Sequence, residues 1–312
     1  MWLVLTVTLP LFFVILAGYL TARRGLIDAA GIKGITGFVF YFALPLMLFY
    51  LMATSPLAER FDARFFLAYL GLALGFHGLG MALTRWGFGC RLNEQAIGGF
   101  SCCFGNNVFI GLPIALSIFG SEAALPMTLL IVIEGGLIMP FTVALLEVAR
   151  APSGRQWRAI LPAGAAVLRN PIVMAALLGA GTALVRLPLP ELFVGLVELV
   201  RGAAVPCALF ALGASLASFP LSEKVAETAA LVAAKLLAFP VVVFLVMGLI
   251  PGLDPDWRKM AVLAAAMPIG ANVYLLASRY ESYVARASTA TLASTAVSVV
   301  TVTLLASVLV EW

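Results

Sequence analysis

Residues 105–113 read GNNVFIGLP, with Asn106 and Asn107 side by side between Gly105, Gly111 and Pro113. Amide side chains hold an anion by hydrogen bonds without a permanent charge, and so can release it again. A second such stretch, MPIGANVY at 267–274, sets Asn272 beside Pro268, Gly270 and Ala271. Glycine and proline interrupt helices, and an interrupted helix presents free N–H groups whose dipole favours an anion. The chemistry these residues point to is anion binding by Gly105, Asn106, Asn107, Gly270, Ala271 and Asn272. The alternative is that the asparagines join helices through interhelical hydrogen bonds.

Other ionisable groups also stand in apolar surroundings. Glu134 reads as a proton carrier, an ion ligand or a protonated structural acid. His77 is the only histidine, either a proton relay or a packed neutral imidazole, and one histidine does not make a zinc site. Lys235 is expected to snorkel outward, or else to meet an anion. Glu198 and Arg201, three apart, can pair on one helix face. The four cysteines show no CxxC spacing and read as packing residues, so no metal site is expected. There is no HExxH, GxSxG or phosphate-binding glycine loop, which argues against an enzyme and against an ATP-driven pump.

What must position these groups follows from composition. The 312 residues are 63% hydrophobic and 11% charged, whereas soluble domains carry roughly a quarter charged residues. The chain is therefore an all-α polytopic membrane protein. Ten spans are predicted: 2–21, 34–54, 64–84, 95–118, 124–147, 170–187, 193–217, 227–250, 259–279 and 287–310. The first lacks a preceding basic region, so it is expected to be retained rather than cleaved. The connecting loop 150–169 holds Arg150, Arg155, Arg158 and Arg169 and is expected in the cytoplasm. This orientation puts both termini outside, with twelve basic residues on the cytoplasmic side and five opposite. The charge of +4 is spread over short loops, so no nucleic-acid partner is implied.

The chain also repeats. Residues 43–54 (ALPLMLFYLMAT) match 204–215 (AVPCALFALGAS) at six positions, including Pro45 with Pro206. The same offset of 161 pairs Pro10 with Pro171 and Gly18 with Gly179, while an offset of 165 pairs Asn107 with Asn272. The chain thus divides into five-helix halves, 1–149 and 170–312, joined by 150–169. An odd number of spans inverts the second half, a transporter plan in which broken midplane helices hold substrate. Spans four and nine are the candidates for breaking. Pro45 and Pro206 either kink spans two and seven or help them wall the site.

The stretches GNNVFIGLPIA, NPIVMAALLGA, VPCALFALGASLA and MPIGANVYLLASRY resemble the auxin efflux carrier family, above all its bacterial malonate or malate permease members. The resemblance runs along the whole chain. It implies a scaffold of spans 1, 2, 6 and 7 and a transport domain of spans 3–5 and 8–10. Spans four and nine would cross at Pro113 and Pro268, and the transport domain would move like an elevator. It further implies a bacterial inner-membrane carrier of a small organic anion, embedded in lipid. No cofactor is called for, and the coupling ion is left as a proton or sodium. A sodium-coupled symporter of the bile-acid carrier type, which shares this plan, and a non-transporting sensor are the alternatives. Oligomeric state, a homodimer included, is left open.

Overall fold

A computed structural model describes residues 2–151, 168–222 and 224–311. Arg155 and Arg158, and with them most of the connecting loop, lie outside the described residues. All regular structure among the described residues is helical. Helix α1 runs Trp2–Arg23, α2 Ala29–Ala53, α3 Ala63–Gly87, α4 Leu92–Cys103 and α5 Leu112–Phe119. Helices α6, Ala124–Ile133, and α7, Met139–Arg150, form one span through the wide turn Glu134–Ile138. There follow α8 Pro171–Leu184, α9 Glu191–Leu216, α10 Val225–Gly248, α11 Pro255–Ala266, α12 Ala271–Arg279 and α13 Val284–Glu311.

Among the described residues, six helical stretches are long and apolar enough to cross a bilayer. Large apolar side chains such as Phe13, Leu79, Leu199, Leu245 and Leu304 remain exposed on their outer faces. In water such a surface would aggregate, and in lipid it is matched to its solvent. The protein is an integral membrane protein. The predicted span at 170–187 ends earlier, at Leu184, because Arg186 adopts a left-handed φ of 53° and Pro188 and Pro190 follow. The span at 34–54 begins earlier, at Ala29, where Asp28 accepts from the Gly31 N–H at 2.8 Å.

Wide π-helical turns recur two residues ahead of proline: Val39–Ala43 before Pro45, Asn107–Gly111 before Pro113, Glu134–Ile138 before Pro140 and Ala234–Ala238 before Pro240. Proline lacks an N–H and its ring collides with the carbonyl four residues back, and widening the preceding turn relieves both. Pro206 instead sits inside the uninterrupted α9.

Helices α1 and α9 pack closely through Gly18 and Gly213, and α8 and the second half of α2 through Gly179. A Cβ on Gly18 would lie 2.1 Å from the Phe210 carbonyl oxygen, and one on Gly179 would lie 2.4 Å from that of Phe49. The offset of 161 residues relates Gly18 to Gly179 and Phe49 to Phe210 alike. Small residues let backbones approach where no hydrophobic effect drives helices together.

At 12 residues each, α4 and α11 reach roughly 18 Å, too short to span alone. Both end in unwound stretches that meet. Gly105 and Ile269 form an antiparallel bridge; the Asn106 N–H donates to the Pro268 oxygen at 2.8 Å and the Gly270 N–H to the Phe104 oxygen at 3.1 Å. The backbone groups freed by each break are thus satisfied by the other.

Candidate functional site

Two side chains brace this meeting point. Glu134 is buried at the head of its wide turn and accepts three hydrogen bonds: from Tyr69 Oη and Asn107 Nδ2, both at 2.9 Å, and from the Gly105 N–H at 3.1 Å. On the other break, Ser294 of α13 accepts from the Ile269 N–H at 3.0 Å. The Tyr69 and Asn107 donors meet Oε1 and the Gly105 N–H meets Oε2, so both carboxyl oxygens are engaged.

Those contacts fix what each asparagine offers. The amide N–H of Asn107 is engaged by Glu134, and its Oδ1 is buried without a partner. Asn106, 3% exposed, has the opposite arrangement, with Nδ2 buried and unpartnered. Both line a cavity together with Gly105, Glu134, Gly270 and Asn272. The chain beyond Asn106 and the start of α12 also line it, so two half-helix N-termini point into one space. That tight end measures about 20 Å³, room for one small polar group. A wider chamber of about 240 Å³ shares Phe40, Gly135, Asn170 and Asn272 with it and opens past Arg169 and Arg279.

Around the mouth, Glu147 accepts from Tyr280 Oη at 2.6 Å, and the Arg150 guanidinium lies 4.6 Å from the Tyr280 ring while donating to its backbone oxygen. Burial, with the bond to Glu147, pushes the Tyr280 phenol up to about 12, so it remains a donor. The two arginines therefore supply the chamber's positive charge.

The remaining residues singled out by sequence stand as follows. Pro268 lies in the second break and Ala271 opens α12 on the cavity wall, while Pro113 is buried in the first turn of α5. Pro45 and Pro206 line none of the described cavities; Phe40 of α2 and Ala211, Leu212 and Ser215 of α9 do. His77 is fully buried away from the cavity, its Nε2 3.0 Å from Thr142 Oγ1. Since Thr142 donates to the Ile138 oxygen, the ring nitrogen is the donor in that bond. Glu198 and Arg201 are both exposed, and no ion pair joins them among the described residues.

Snorkelling does not occur at Lys235. Its residue exposure is 0%, and Nζ donates to the backbone oxygens of Ala265 and of Met267, the latter at 2.8 Å. The sequence reading also passed over Asn170. Its Oδ1 caps α8 by accepting from Ile172 and Val173, which leaves its amide nitrogen on the cavity side, beside Gly135. An Asn-Pro pair opening a helix was the available signal, and it reads as a cap alone.

Residues 3–306 match the sequence profile of the family described as "Membrane transport protein". The chain belongs to the auxin efflux carrier family. Among curated members of this family, it is 34% identical over 299 residues to a Rhizobium meliloti protein named "Putative malonate transporter", covering 95% of this chain and 92% of that one. It is 27% identical over 296 residues to the Escherichia coli K12 "Uncharacterized transporter YfdV", covering 91% and 90%. As a member of the auxin efflux carrier family, the protein is a membrane transporter.

Proposed function

We propose that this auxin efflux carrier family member is a secondary carrier of a small organic carboxylate, bound where the two broken helices meet. The observation that carries the reading is the convergence of two half-helix N-termini and the unpartnered Asn106 amide on one cavity. One carboxylate group would occupy the tight end, held by Asn106 Nδ2, the Asn272 side chain and free backbone N–H groups. The rest of the substrate would extend into the chamber toward Asn170, Arg169 and Arg279. A dicarboxylate fits this layout, and the Rhizobium meliloti relative is named for malonate.

The architecture that supports it is ten spans in two inverted five-helix halves, with α4–α5 and α11–α12 as the broken fourth and ninth. The paired glycine contacts of Gly18 and Gly179 and the reciprocal bonds across the break favour this two-fold plan. The scaffold would be the first, second, sixth and seventh spans, and the rest would move as an elevator between access to either side. The protein would lie in a bacterial inner membrane with both termini outside, so that the arginine-lined mouth faces the cytoplasm. Glu134, which lines the cavity, is the group through which a proton would couple.

Uptake of labelled malonate into proteoliposomes tests the reading. Saturable uptake that unlabelled dicarboxylates inhibit is expected, with Asn272→Ala raising KM. Absence of carboxylate flux under either a proton or a sodium gradient, in protein that remains folded, would overturn it.

A further inference from the structure

Lys235 stands out among the described residues as a fully buried cation within the apolar part of the protein. Its hydrogen-bond partners are backbone oxygens, with a ring beside them; the Glu134 carboxylate, without an ion pair to it, is the nearby opposite charge. Nζ donates to the oxygens of Ala265 and Met267 and lies 5.2 Å from the Phe239 ring centre. Those oxygens belong to the C-terminal end of α11 and to the unwound stretch beyond it. The last carbonyls of a helix have no intrahelical partner and carry its negative partial charge.

In carriers with broken helices, half-helix C-termini and unwound carbonyls are where a coupling cation is coordinated. Here an ammonium on a four-carbon stem sits at that place. The reciprocal backbone bonds satisfy one oxygen at each break alike, that of Phe104 and that of Pro268, and the ammonium meets two further oxygens at the second. At the second break the chain itself supplies the cation, covalently.

We propose that the Lys235 ammonium is a tethered replacement for a coupling cation at the second helix break, so that the transporter works without sodium. This rests on the carrier reading above and deepens it. The stem comes from the wide turn Ala234–Ala238, which Pro240 imposes, so the same turn that relieves the proline aims the lysine at the break. Removing the ammonium would leave two carbonyls buried, and a small free cation could then enter.

Three measurements test this. Wild-type malonate uptake is expected to change by less than about twofold when choline replaces sodium, since no free cation binds. A loss of about fivefold or more would overturn the proposal. Lys235→Ala is expected to lose about tenfold or more of its uptake in choline and to regain several-fold with sodium or methylammonium. The melting temperature of purified protein is the independent readout: indifferent to the cation in wild type, but raised by several degrees in Lys235→Ala by sodium or methylammonium over choline.

A folded variant whose melting temperature is the same in all these salts shows a purely structural lysine and overturns the proposal. If Lys235→Ala is not recovered, Lys235→Met takes its place. Recovery of either only in sodium or methylammonium supports the proposal, and recovery in no medium overturns it. Should wild-type protein move no carboxylate, the carrier reading fails alone, because the melting series still judges the cation.

Discussion

Asn107 gives its side-chain N–H to Glu134 at 2.9 Å and keeps a buried, unpartnered carbonyl oxygen. It is therefore a brace for the crossing, while Asn106, whose amide nitrogen no protein group uses, is the donor that the carrier reading assigns to the anion. From sequence the two adjacent amides are equivalent; their hydrogen bonds separate them.

Alanine at each should divide affinity from stability. Asn106→Ala removes a donor that no protein group uses, so KM for malonate should rise about tenfold, one charge-assisted hydrogen bond, with the melting temperature unchanged. Asn107→Ala strips Glu134 of one of its three donors and should destabilise by about 1–3 kcal/mol, seen as a lower melting temperature with or without substrate. Equal effects on both quantities for the two variants would refute the division.

Glu134→Gln tests the charge state of the braced acid. A glutamine oxygen can still accept from Tyr69 and Asn107, but its amide then opposes the Gly105 N–H, donor against donor. The expected outcome is a loss of about 1–3 kcal/mol in thermal or denaturant unfolding, together with reduced uptake. A Glu134→Gln protein as stable as wild type would show that the acid is protonated, since glutamine mimics that form.

Gly18→Ala and Gly179→Ala should be similarly harmful despite lying 161 residues apart. Each adds a methyl within 2.4 Å or less of a carbonyl oxygen on the neighbouring helix. Forcing the helices apart should cost about 1–3 kcal/mol in either variant. Gly181→Ala, two residues along α8 with nothing within 4 Å, is the control that should be neutral or slightly stabilising. The check is the melting temperature of the three purified variants.

Cys90 lies in the short connection after α3, buried against Glu227, to which its Sγ donates at 3.2 Å. Arg286 and Tyr283 close the same cluster, with Tyr283 Oη 2.5 Å from Glu227. Burial first, and then the bond to Glu227, push the Cys90 thiol up to about 12. A raised thiol pKa means less thiolate at every pH below it, and the thiolate is the nucleophile. Maleimide should therefore modify folded Cys90 on the order of a thousandfold more slowly than an unperturbed thiol at pH 8, with the rate still climbing above pH 10. Mass spectrometry after timed labelling measures this, and rapid labelling at pH 7 would contradict it.

The breaks were legible because Gly105, Pro113, Pro268 and Gly270 interrupt segments that are otherwise continuous in hydropathy. Pattern alone marks such positions, and the matched Asn107 and Asn272 tied them together. Lys235 was not legible, since a lysine eight residues inside a span reads as a snorkelling side chain until its helix face is known. Its partners, Ala265 and Met267, are 30 and 32 residues away and contribute only backbone, which leaves no trace in side-chain pattern. Asn170 was missed for a related reason, as its visible role as a cap accounts fully for its presence beside Pro171.

The reciprocal bonds at the break also bear on how the protein is made. The Asn106 N–H finds its partner on Pro268, which the ribosome adds 162 residues later, roughly ten to thirty seconds at ordinary elongation rates. Through that interval the nascent first half would hold unpaired peptide groups at the depth of lipid, each costing several kcal/mol. The helices ahead of residue 151 would thus depend on shielding by the insertion machinery until the residues around Pro268 arrive to complete the break.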